Sequence, residues 1–186
     1  MRETILDAAE ALVQQRGFDS VTFQEIADAV GLRKPSLFHH IRNKDELAEC
    51  LIERCSTKHG AKYEEVVAKN ISAPRKLKEV AKIFEDGLME GRPCLLASIG
   101  ASRAALSDSA ADQLQLAADG AIARFATIFS QGRKESSLTF KGSPENAAMS
   151  FVGLLQGLQT LCLLKNDTAA YSRAISTYIN SLTHKP

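Results

Sequence analysis

Apolar residues recur at helical spacing along nearly the whole chain of 186 residues. Between Ile5 and Val13 they lie three or four positions apart, and Gly17 ends this pattern as a C-terminal cap does. Similar patterns follow as far as Leu182, separated by short polar stretches that contain Gly or Pro. No series of alternating apolar and polar residues predicts a β-sheet. The pattern therefore predicts an all-α fold of about nine helices.

The second helix has a well-marked beginning and end. Thr22 and Glu25 fit a capping box, in which the two side chains satisfy backbone N–H groups reciprocally. Val21 and Ile26 stand at the two positions of a hydrophobic staple, which fixes how the chain enters a helix. Gly31 breaks the pattern after two turns, so this helix is predicted to be short.

The next segment predicts a third short helix. Leu32, Leu37 and Ile41 are its inward positions, and Pro35 is tolerable only in a first helical turn. A fourth helix begins at Asn43, which precedes acidic residues that the helix dipole favours. Three helices in so few residues, two of them joined by a Gly turn, predict a helix-turn-helix unit.

Charge is unevenly distributed in this unit. The chain has a formal net charge of only +1, yet 32–44 holds four Lys/Arg, two adjacent His and no acidic residue. The positions left exposed on the third helix are Arg33, Lys34, Ser36, His39 and His40, with Phe38 half-exposed. A solvated charged face is the ordinary interpretation of such a cluster. Because a capped helix-turn-helix presents this one, insertion into the major groove of DNA is favoured.

Over about Thr4–Leu47 the sequence resembles the N-terminal module of the tetracycline-repressor (TetR) family. The matching positions form a long ungapped pattern: Ile5, Ala8, Ala9, Leu12, Gly17, Phe18, Val21, Thr22, Ile26, Ala27, Val30, Gly31, Pro35, Ser36, Leu37, His40, Asn43 and Lys44. The resemblance implies an all-helical homodimer in which each subunit inserts its third helix into successive major grooves of a palindromic operator. It also implies a small-molecule effector site in the larger part of the chain.

The resemblance assigns roles to the matching positions. Thr22 is a helix cap and phosphate contact; Lys34, Pro35 and Ser36 contact bases or sugars; Phe38, His40 and Lys44 contact the DNA backbone. The complete set of predicted DNA-binding residues is Thr22, Gln24, Arg33, Lys34, Pro35, Ser36, Phe38, His39, His40 and Lys44.

The sequence departs from the family pattern at two DNA-facing positions. Arg33 stands where Ser or Thr is usual; it cannot accept a capping hydrogen bond, but it can reach phosphate or guanine. Phe38 stands where Tyr is usual, so a hydroxyl contact to phosphate is lost while contact with a thymine methyl remains available. These two positions are where we expect the protein's own operator preference.

Residues 1–47 are predicted as the DNA-binding domain and 48–186 as a helical effector-binding and dimerisation domain. A helix is predicted from Cys94 to near Ser107, and another after Ser143, with Ser143 as cap and Pro144 in the first turn. The last two helices are the candidates for the dimer interface, with core packing within one chain as the alternative. The residues predicted at that interface are Gly153, Leu154, Gly157, Leu158, Leu161, Tyr171, Ile175 and Tyr178.

An effector pocket is expected from the resemblance more than from the residues themselves. Its predicted lining is Phe84, Leu88, Cys94, Phe125, Phe129 and Phe151, although aromatic residues at helical spacing are equally typical of a packed core. The segment from Gly91 resembles a Gly-Arg-x-Cys-Leu stretch of one branch of these regulators, but Ser102 stands where that branch usually has an acidic residue. Cys94 is hypothesised to lie near the pocket, as an inert thiol or as a sensor of electrophiles.

Composition excludes several other classes of protein. The four cysteines are expected to be free thiols, and Cys50, Cys55 and His59 are not expected to hold a metal because only the last two share a helix face. No cofactor is expected. No apolar run reaches the ~18 residues of a membrane span, and the first helix does not resemble a signal peptide, so a cytoplasmic protein without a membrane partner is predicted.

The leading interpretation is a ligand-responsive transcriptional regulator, a repressor, that a small-molecule effector releases from palindromic operator DNA. An alternative is a small-molecule-binding protein whose helix-turn-helix is vestigial. An enzyme is not predicted, since the sequence holds no Gly-rich phosphate loop, no set of metal ligands and no convincing nucleophile–base pair.

Overall fold

The computed structural model describes residues 1–183, and over that range the chain is all-α. Nine α-helices follow one another: α1 (Arg2–Arg16), α2 (Phe23–Ala29), α3 (Lys34–Phe38), α4 (Lys44–Ala68), α5 (Ala73–Met89), α6 (Leu95–Gly100), α7 (Asp108–Lys134), α8 (Pro144–Lys165) and α9 (Ala169–Leu182). A single 3₁₀ turn, Arg103–Ala105, lies between α6 and α7. The predicted fold class and the number of helices are confirmed.

The helix boundaries follow from the capping residues. The capping box of Thr22 and Glu25 is present at α2, and Ser143 accepts a hydrogen bond from the Asn146 N–H at the start of α8. The Glu46 N–H donates to the Asn43 side chain at 2.9 Å, which caps α4. Gly17 follows α1 with a φ of 84°, a backbone conformation that a residue with a Cβ rarely adopts.

The segment after Cys94 differs from its prediction. The helix ends at Gly100 and not near Ser107, because the chain passes through the 3₁₀ turn before α7 begins at Asp108. Gly is a poor helix former, and Leu106 is extended, with a ψ of 154°, which is incompatible with a continuous helix. Two short elements therefore replace one longer helix.

The chain divides into two compact units that do not follow the predicted domain boundary. One comprises Met1–Lys58 and Gly91–Ala118; the other comprises His59–Glu90 and the residues from Asp119 onward. The boundary after residue 47 is a functional division and stays a prediction. Packing divides the chain differently because α6 and the first part of α7 share a core with the N-terminal helices.

The first unit is organised around that shared core. Ile5, Leu37, Ile41 and Leu51 are wholly buried there, and Ile99 of α6 joins them. Val21 and Ile26, the predicted staple residues, are also buried. Burial of these side chains holds α2 and α3 in place, because neither helix is long enough to be stable by itself.

The second unit packs α5, α8 and α9 together around an aromatic core. The buried Gln159 side chain donates to the Phe84 carbonyl at 2.7 Å, so this polar group is satisfied within the core. Glu135 accepts from the Ala73 N–H at 2.8 Å and thereby caps α5. That hydrogen bond is the first cause of the lowered pKa of the Glu135 carboxyl.

Helix α8 changes one prediction made from composition. It is 22 residues long with a mean hydropathy of 1.6 over its most apolar 18 residues, so its length and composition would allow it to cross a membrane. The statement that no segment reaches membrane length was therefore wrong. A core helix of a soluble protein can have the same length and composition, although only 33% of this apolar segment is buried within the chain.

Candidate nucleic-acid interface

Helix α3 is held by its apolar face and leaves its polar face in solvent. Leu37 and Ile41 are fully buried, while Leu32 is half-buried against the same core. The predicted inward positions are thus confirmed. Arg33 is the N-cap of α3 and makes no side-chain capping hydrogen bond, as expected for a guanidinium. Pro35 lies in the first turn.

The predicted DNA-facing residues of α3 form one solvent-exposed surface. Five of them are exposed, His40 is half-buried, and Phe38 has a relative exposure of 38%. The five exposed residues are Arg33, Lys34, Pro35, Ser36 and His39. Their role in DNA binding stays a prediction, but the helix presents them without a covering segment from the first unit.

An aromatic pair links α2 to α3 on this surface. The rings of Phe23 and Phe38 lie with centroids 5.1 Å apart, and the Lys34 ammonium is 6.0 Å from the centroid of the Phe38 ring. Sequence reasoning did not include Phe23, because a lone aromatic residue at the start of a helix gives no indication of its partner. The pair limits how far the Phe38 ring can turn.

The hydrogen-bonding groups of Thr22 at the N-terminus of α2 are already bound to the Glu25 side chain. The Thr22 hydroxyl donates to Glu25 Oε2 at 2.9 Å, and the Thr22 N–H donates to the same oxygen at 2.8 Å. Arg16 at the end of α1 also pairs with Glu25. Because the hydroxyl has one hydrogen, and Glu25 receives it, the phosphate contact predicted for Thr22 would require this hydrogen bond to open.

These contacts hold the Glu25 carboxyl ionised. Its pKa is lowered from 4.5 to about 2, first by the hydrogen bond from Arg16 and then by those from Thr22. A carboxyl whose pKa is depressed on folding stabilises the folded state above its ordinary pKa. That contribution is lost as the pH falls through about 2.

We expect Thr22→Ala to lower the free energy of unfolding of the first unit by about 1 kcal/mol, since an N-cap hydrogen bond is lost. In Glu25→Gln, the fall in stability between about pH 5 and pH 2 is expected to be shallower than in the wild type, because the group that titrates is gone. Urea unfolding at several pH values measures both. Gln24→Ala, one helix position away, is the control; equal pH dependence in the wild type and Glu25→Gln would contradict this role.

Two other predicted contact residues have partners within the chain. The Gln24 side chain donates to Asp28 Oδ1 at 2.7 Å on the exposed face of α2. The Lys44 ammonium donates to the carbonyls of Phe18 and Asp19 at 2.9 and 3.0 Å. Both side chains are thus engaged before any DNA arrives, and their predicted roles at the DNA stay predictions.

A cluster around Arg54 was missed by sequence reasoning. Its guanidinium binds Glu3 at 2.6 Å and Glu10 at 3.2 Å, and it also pairs with Asp7. The three carboxylates lie along one face of α1, and Glu10 is 7% exposed. Their spacing of three and four residues was visible in the sequence, but a cation placed 44 residues after Glu10 could be matched to them only in three dimensions.

We expect Arg54→Met to lower the free energy of unfolding of the first unit by about 2 kcal/mol, because Glu10 is left buried without a cation. This is less than the loss for a fully buried pair, since part of the Arg54 side chain is in water. The double variant Arg54→Met, Glu10→Gln should recover more than half of the loss. Denaturant unfolding of the four combinations measures the coupling, and additive losses would contradict it.

Five of the residues predicted for the effector pocket belong to the aromatic core of the second unit. Phe84, Leu88, Phe125, Phe129 and Phe151 are all buried in the second unit. Ring centroids lie 6.4 Å apart for Phe125 and Phe151 and 6.0 Å apart for Phe129 and Phe151. This arrangement is that of a close-packed core, and the pocket stays a prediction.

Cys94 does not belong to the same unit as the other residues predicted for the pocket. It belongs to the first unit, where it is half-buried and is the N-cap of α6. Cys55 of the same unit is buried, and burial is the first cause of the raised pKa of its thiol. Among residues 1–183, no group of three or more His, Cys, Asp or Glu side chains is arranged to hold a metal ion.

The second unit does contain a shallow groove of about 150 Å³. None of the predicted pocket residues lines it. Its lining comes from α5 and α9 and comprises Lys78, Ala81, Lys82, Glu85, Tyr171, Ser172, Ile175 and Ser176.

The residues predicted for the dimer interface divide by exposure. Gly153, Gly157 and Leu161 on α8 are exposed, the last by 54%. Leu154, Leu158 and Tyr178 are half-buried. Tyr171 and Ile175 are 1% and 4% exposed because they pack within a single chain, so they are not free to contact a second subunit. These two residues therefore fit the alternative prediction, core packing within one chain, and not a dimer interface.

Comparison with known proteins agrees with this geometry. The model of the family described as "Bacterial regulatory proteins, tetR family" matches residues 5–51. The HTH-type transcriptional repressor NemR of Escherichia coli is 26% identical over 189 residues, covering 98% of this chain and 90% of that protein. The class D tetracycline repressor protein of E. coli is 33% identical over 58 residues, which are 31% of this chain and 27% of that protein.

Solved structures share the fold along the whole chain. A TetR-family transcriptional regulator from Agrobacterium tumefaciens superimposes with a TM-score of 0.91 at 19% identity, covering 98% of this chain and 97% of that one. The reduced form of E. coli NemR superimposes with a TM-score of 0.81 at 22% identity, covering 100% and 98%.

A capped helix-turn-helix that presents a cationic third helix on an all-α chain defines a helix-turn-helix transcriptional regulator. This class of protein binds DNA and is not a class of enzyme. The match over residues 5–51, the similarity to NemR along the chain and the shared fold support a transcriptional regulator of the TetR family.

Proposed function

We propose that this regulator is a cytoplasmic repressor that binds a palindromic operator as a homodimer and leaves it when a small-molecule effector binds. The observation that carries the proposal is the exposed surface of α3, with Arg33, Lys34, Ser36 and His39 in solvent above the buried Leu37. A helix mounted in this way can enter the major groove. There Lys and Arg read guanine, and hydroxyl groups read bases or hold phosphate.

A stripe along α8 supports the proposal of a homodimer. This α8 stripe consists of Met149, Gly153, Gly157, Leu161 and Leu164, which lie three or four residues apart and are all exposed. Leu164 is 78% exposed. Among residues 1–183, a Cβ added at either glycine would meet no atom within 4 Å outside its own helix backbone, so no packing contact in that range requires glycine there. A second copy packed against the stripe would bury this apolar area and use the glycines for close approach.

Release by an effector is proposed from the similarity of the chain to the repressor NemR and to the class D tetracycline repressor protein. An effector that binds more tightly to one arrangement of the dimer shifts the population toward it. In the released arrangement, the two α3 helices would no longer match successive major grooves, about 34 Å apart. The proposed lining of the effector site consists of aromatic side chains of the second unit, including Phe84 and Phe125. These side chains would have to move apart to admit an effector.

The test begins with selection from random DNA duplexes by the wild-type protein. We expect a palindromic sequence to emerge, with half-sites about one helical turn apart, bound by two copies of the chain. Binding should outlast that of a random duplex as the salt concentration rises. If the selected pool stays random and its binding vanishes at the same salt concentration as that of control DNA, the helix-turn-helix is vestigial and the proposal fails.

A further inference from the structure

We propose that the Phe38 ring, positioned by Phe23, reads the 5-methyl group of one thymine in each operator half-site. This inference rests on the proposed DNA-binding function and deepens it, because it names the feature of a base that the helix-turn-helix recognises. The resemblance assigns no role to Phe23. The observation behind the inference is that a ring from α2 and a ring from α3 meet at the DNA-facing surface.

The two rings connect the helices of the helix-turn-helix. Phe23 is the first residue of α2, and Phe38 is the last residue of α3. Their ring centroids are 5.1 Å apart and the ring planes are inclined at 45°, a separation at which aromatic rings attract each other. Phe23 is half-buried and packs against the core of the first unit, while Phe38 is 38% exposed. Phe23 thus joins the more exposed ring to the core.

Phe38 is an unusual residue for this surface. Among the described residues of α1, α2 and α3, no other large apolar side chain is exposed. A ligand that covers an exposed ring is bound more tightly, because apolar surface is removed from water. The phenyl ring carries no hydroxyl, amide or charged group, so whatever it reads on a base edge must be apolar. The thymine methyl is the apolar group that base edges present in the major groove.

The charges around the pair favour DNA as the ligand that covers it. The Lys34 ammonium lies 6.0 Å from the centroid of the Phe38 ring, and residues 32–44 contain no acidic side chain. On α2 the Glu25 carboxylate is paired with Arg16. A ligand that offers phosphates next to an apolar group therefore fits this surface better than an uncharged one. DNA does so, because phosphates border the major groove in which the thymine methyl lies.

The two residues have different shares in the proposed contact. Phe38 offers the more exposed surface, and Phe23 determines where that ring stands, because the rings pack together and Phe23 is held by the core. Without Phe23, the Phe38 side chain could adopt other rotamers, and its ring would no longer be aimed at one methyl group. The pair should therefore govern the preference for thymine. The electrostatic part of binding should stay unchanged, since neither residue is charged.

The experiment removes single methyl groups from the DNA. In a duplex selected by the wild-type protein, each thymine is replaced in turn by deoxyuridine, symmetrically in both half-sites. Uracil pairs as thymine does but lacks the methyl group. We expect one replacement to weaken wild-type binding about tenfold, since two buried methyl groups are lost. The other replacements should change affinity by less than about twofold.

The protein variants are Phe23→Ala, Phe23→Leu and Phe38→Ala, with Phe140→Ala as the matched control. Phe140 is a half-buried residue of the second unit whose ring centroid lies 5.2 Å from that of Phe129. In the first three variants we expect the deoxyuridine penalty to fall from about tenfold to about twofold or less, at an unchanged salt slope. Phe140→Ala should keep the whole penalty. Phe23→Leu retains an apolar side chain in the core, and thermal unfolding shows which variants are folded.

The possible results separate this inference from the proposed function. A selected duplex in which no thymine methyl affects wild-type binding would overturn the inference alone, because the rings would then contact only the sugar–phosphate backbone. A penalty that stays at about tenfold in Phe38→Ala would place the methyl group against another residue. One that stays in both Phe23 variants would show that Phe23 does not position the ring. If the wild type selects no duplex, the proposed DNA-binding function fails, and the inference fails with it.

Discussion

Leu161→Lys is expected to convert the proposed dimer into a monomer and to reduce operator affinity by a factor of about 100 or more. Leu161 belongs to the α8 stripe and is 54% exposed, so a second copy packed on the stripe would cover it. A lysine there would place a charge on each side of the interface, and the burial of both would have no compensating partner. Operator affinity falls when the dimer is lost, because one short helix-turn-helix module alone buries little surface on DNA.

The measurements are sedimentation equilibrium for the oligomeric state and titration of a palindromic duplex for affinity. Leu116→Lys is the matched control, since Leu116 is 70% exposed on α7 and lies outside the α8 stripe. We expect it to remain dimeric with wild-type affinity. A Leu161→Lys protein that is still a dimer at micromolar concentration would show that the interface lies elsewhere, and the homodimer proposal would lose its surface.

The double variant Arg33→Ala, Lys34→Ala is expected to weaken operator binding by a factor of about 30 or more and to lower the salt slope by about two. Both side chains are exposed on α3. Each contact to a base edge or phosphate contributes about 1–3 kcal/mol, and each neutralised phosphate contributes about 0.9 to the slope. Preference among operator bases should also relax at the positions that these residues face.

The control variant also removes two positive charges, but from the second unit and not from α3. Lys62→Ala, Lys78→Ala changes two exposed lysines of the second unit and should leave both affinity and slope close to those of the wild type. Titrations of the operator duplex at several salt concentrations compare the two double variants. Equal losses in the two variants would mean that net charge alone governs binding, and α3 would not be the recognition helix.

Several local features could be predicted from the sequence because they depend on residues close together in the chain. The capping box of Thr22 and Glu25 involves neighbours three positions apart, and the inward face of α3 follows from the spacing of Leu37 and Ile41. The break between α6 and α7 was missed because Gly100 and Ser102 only weaken a helix. Whether it ends there depends on the packing of Ile99 and Ala110 into the same core.

Residues with long-range partners show the opposite case. Nothing near Lys44 in the sequence indicates that its ammonium meets Phe18, and nothing near Arg54 indicates that it collects the carboxylates of α1. Tyr171 and Ile175 fit an apolar face of α9 equally well whether that face meets a second subunit or α5 and α8. Packing within the chain decided that they are buried.

The sequence by itself determined the helices, the helix-turn-helix and the cationic face of its third helix, because periodicity, caps and turns act over a few residues. Only the tertiary structure decided which side chains meet partners far away in the sequence and which surfaces stay exposed. It showed the Lys44 ammonium bound to the Phe18 and Asp19 carbonyls, Arg54 paired with carboxylates of α1, and α8 with an apolar stripe still exposed. These outcomes depend on which residues that are far apart in the sequence come into contact when the chain folds. Short-range sequence patterns do not contain that information.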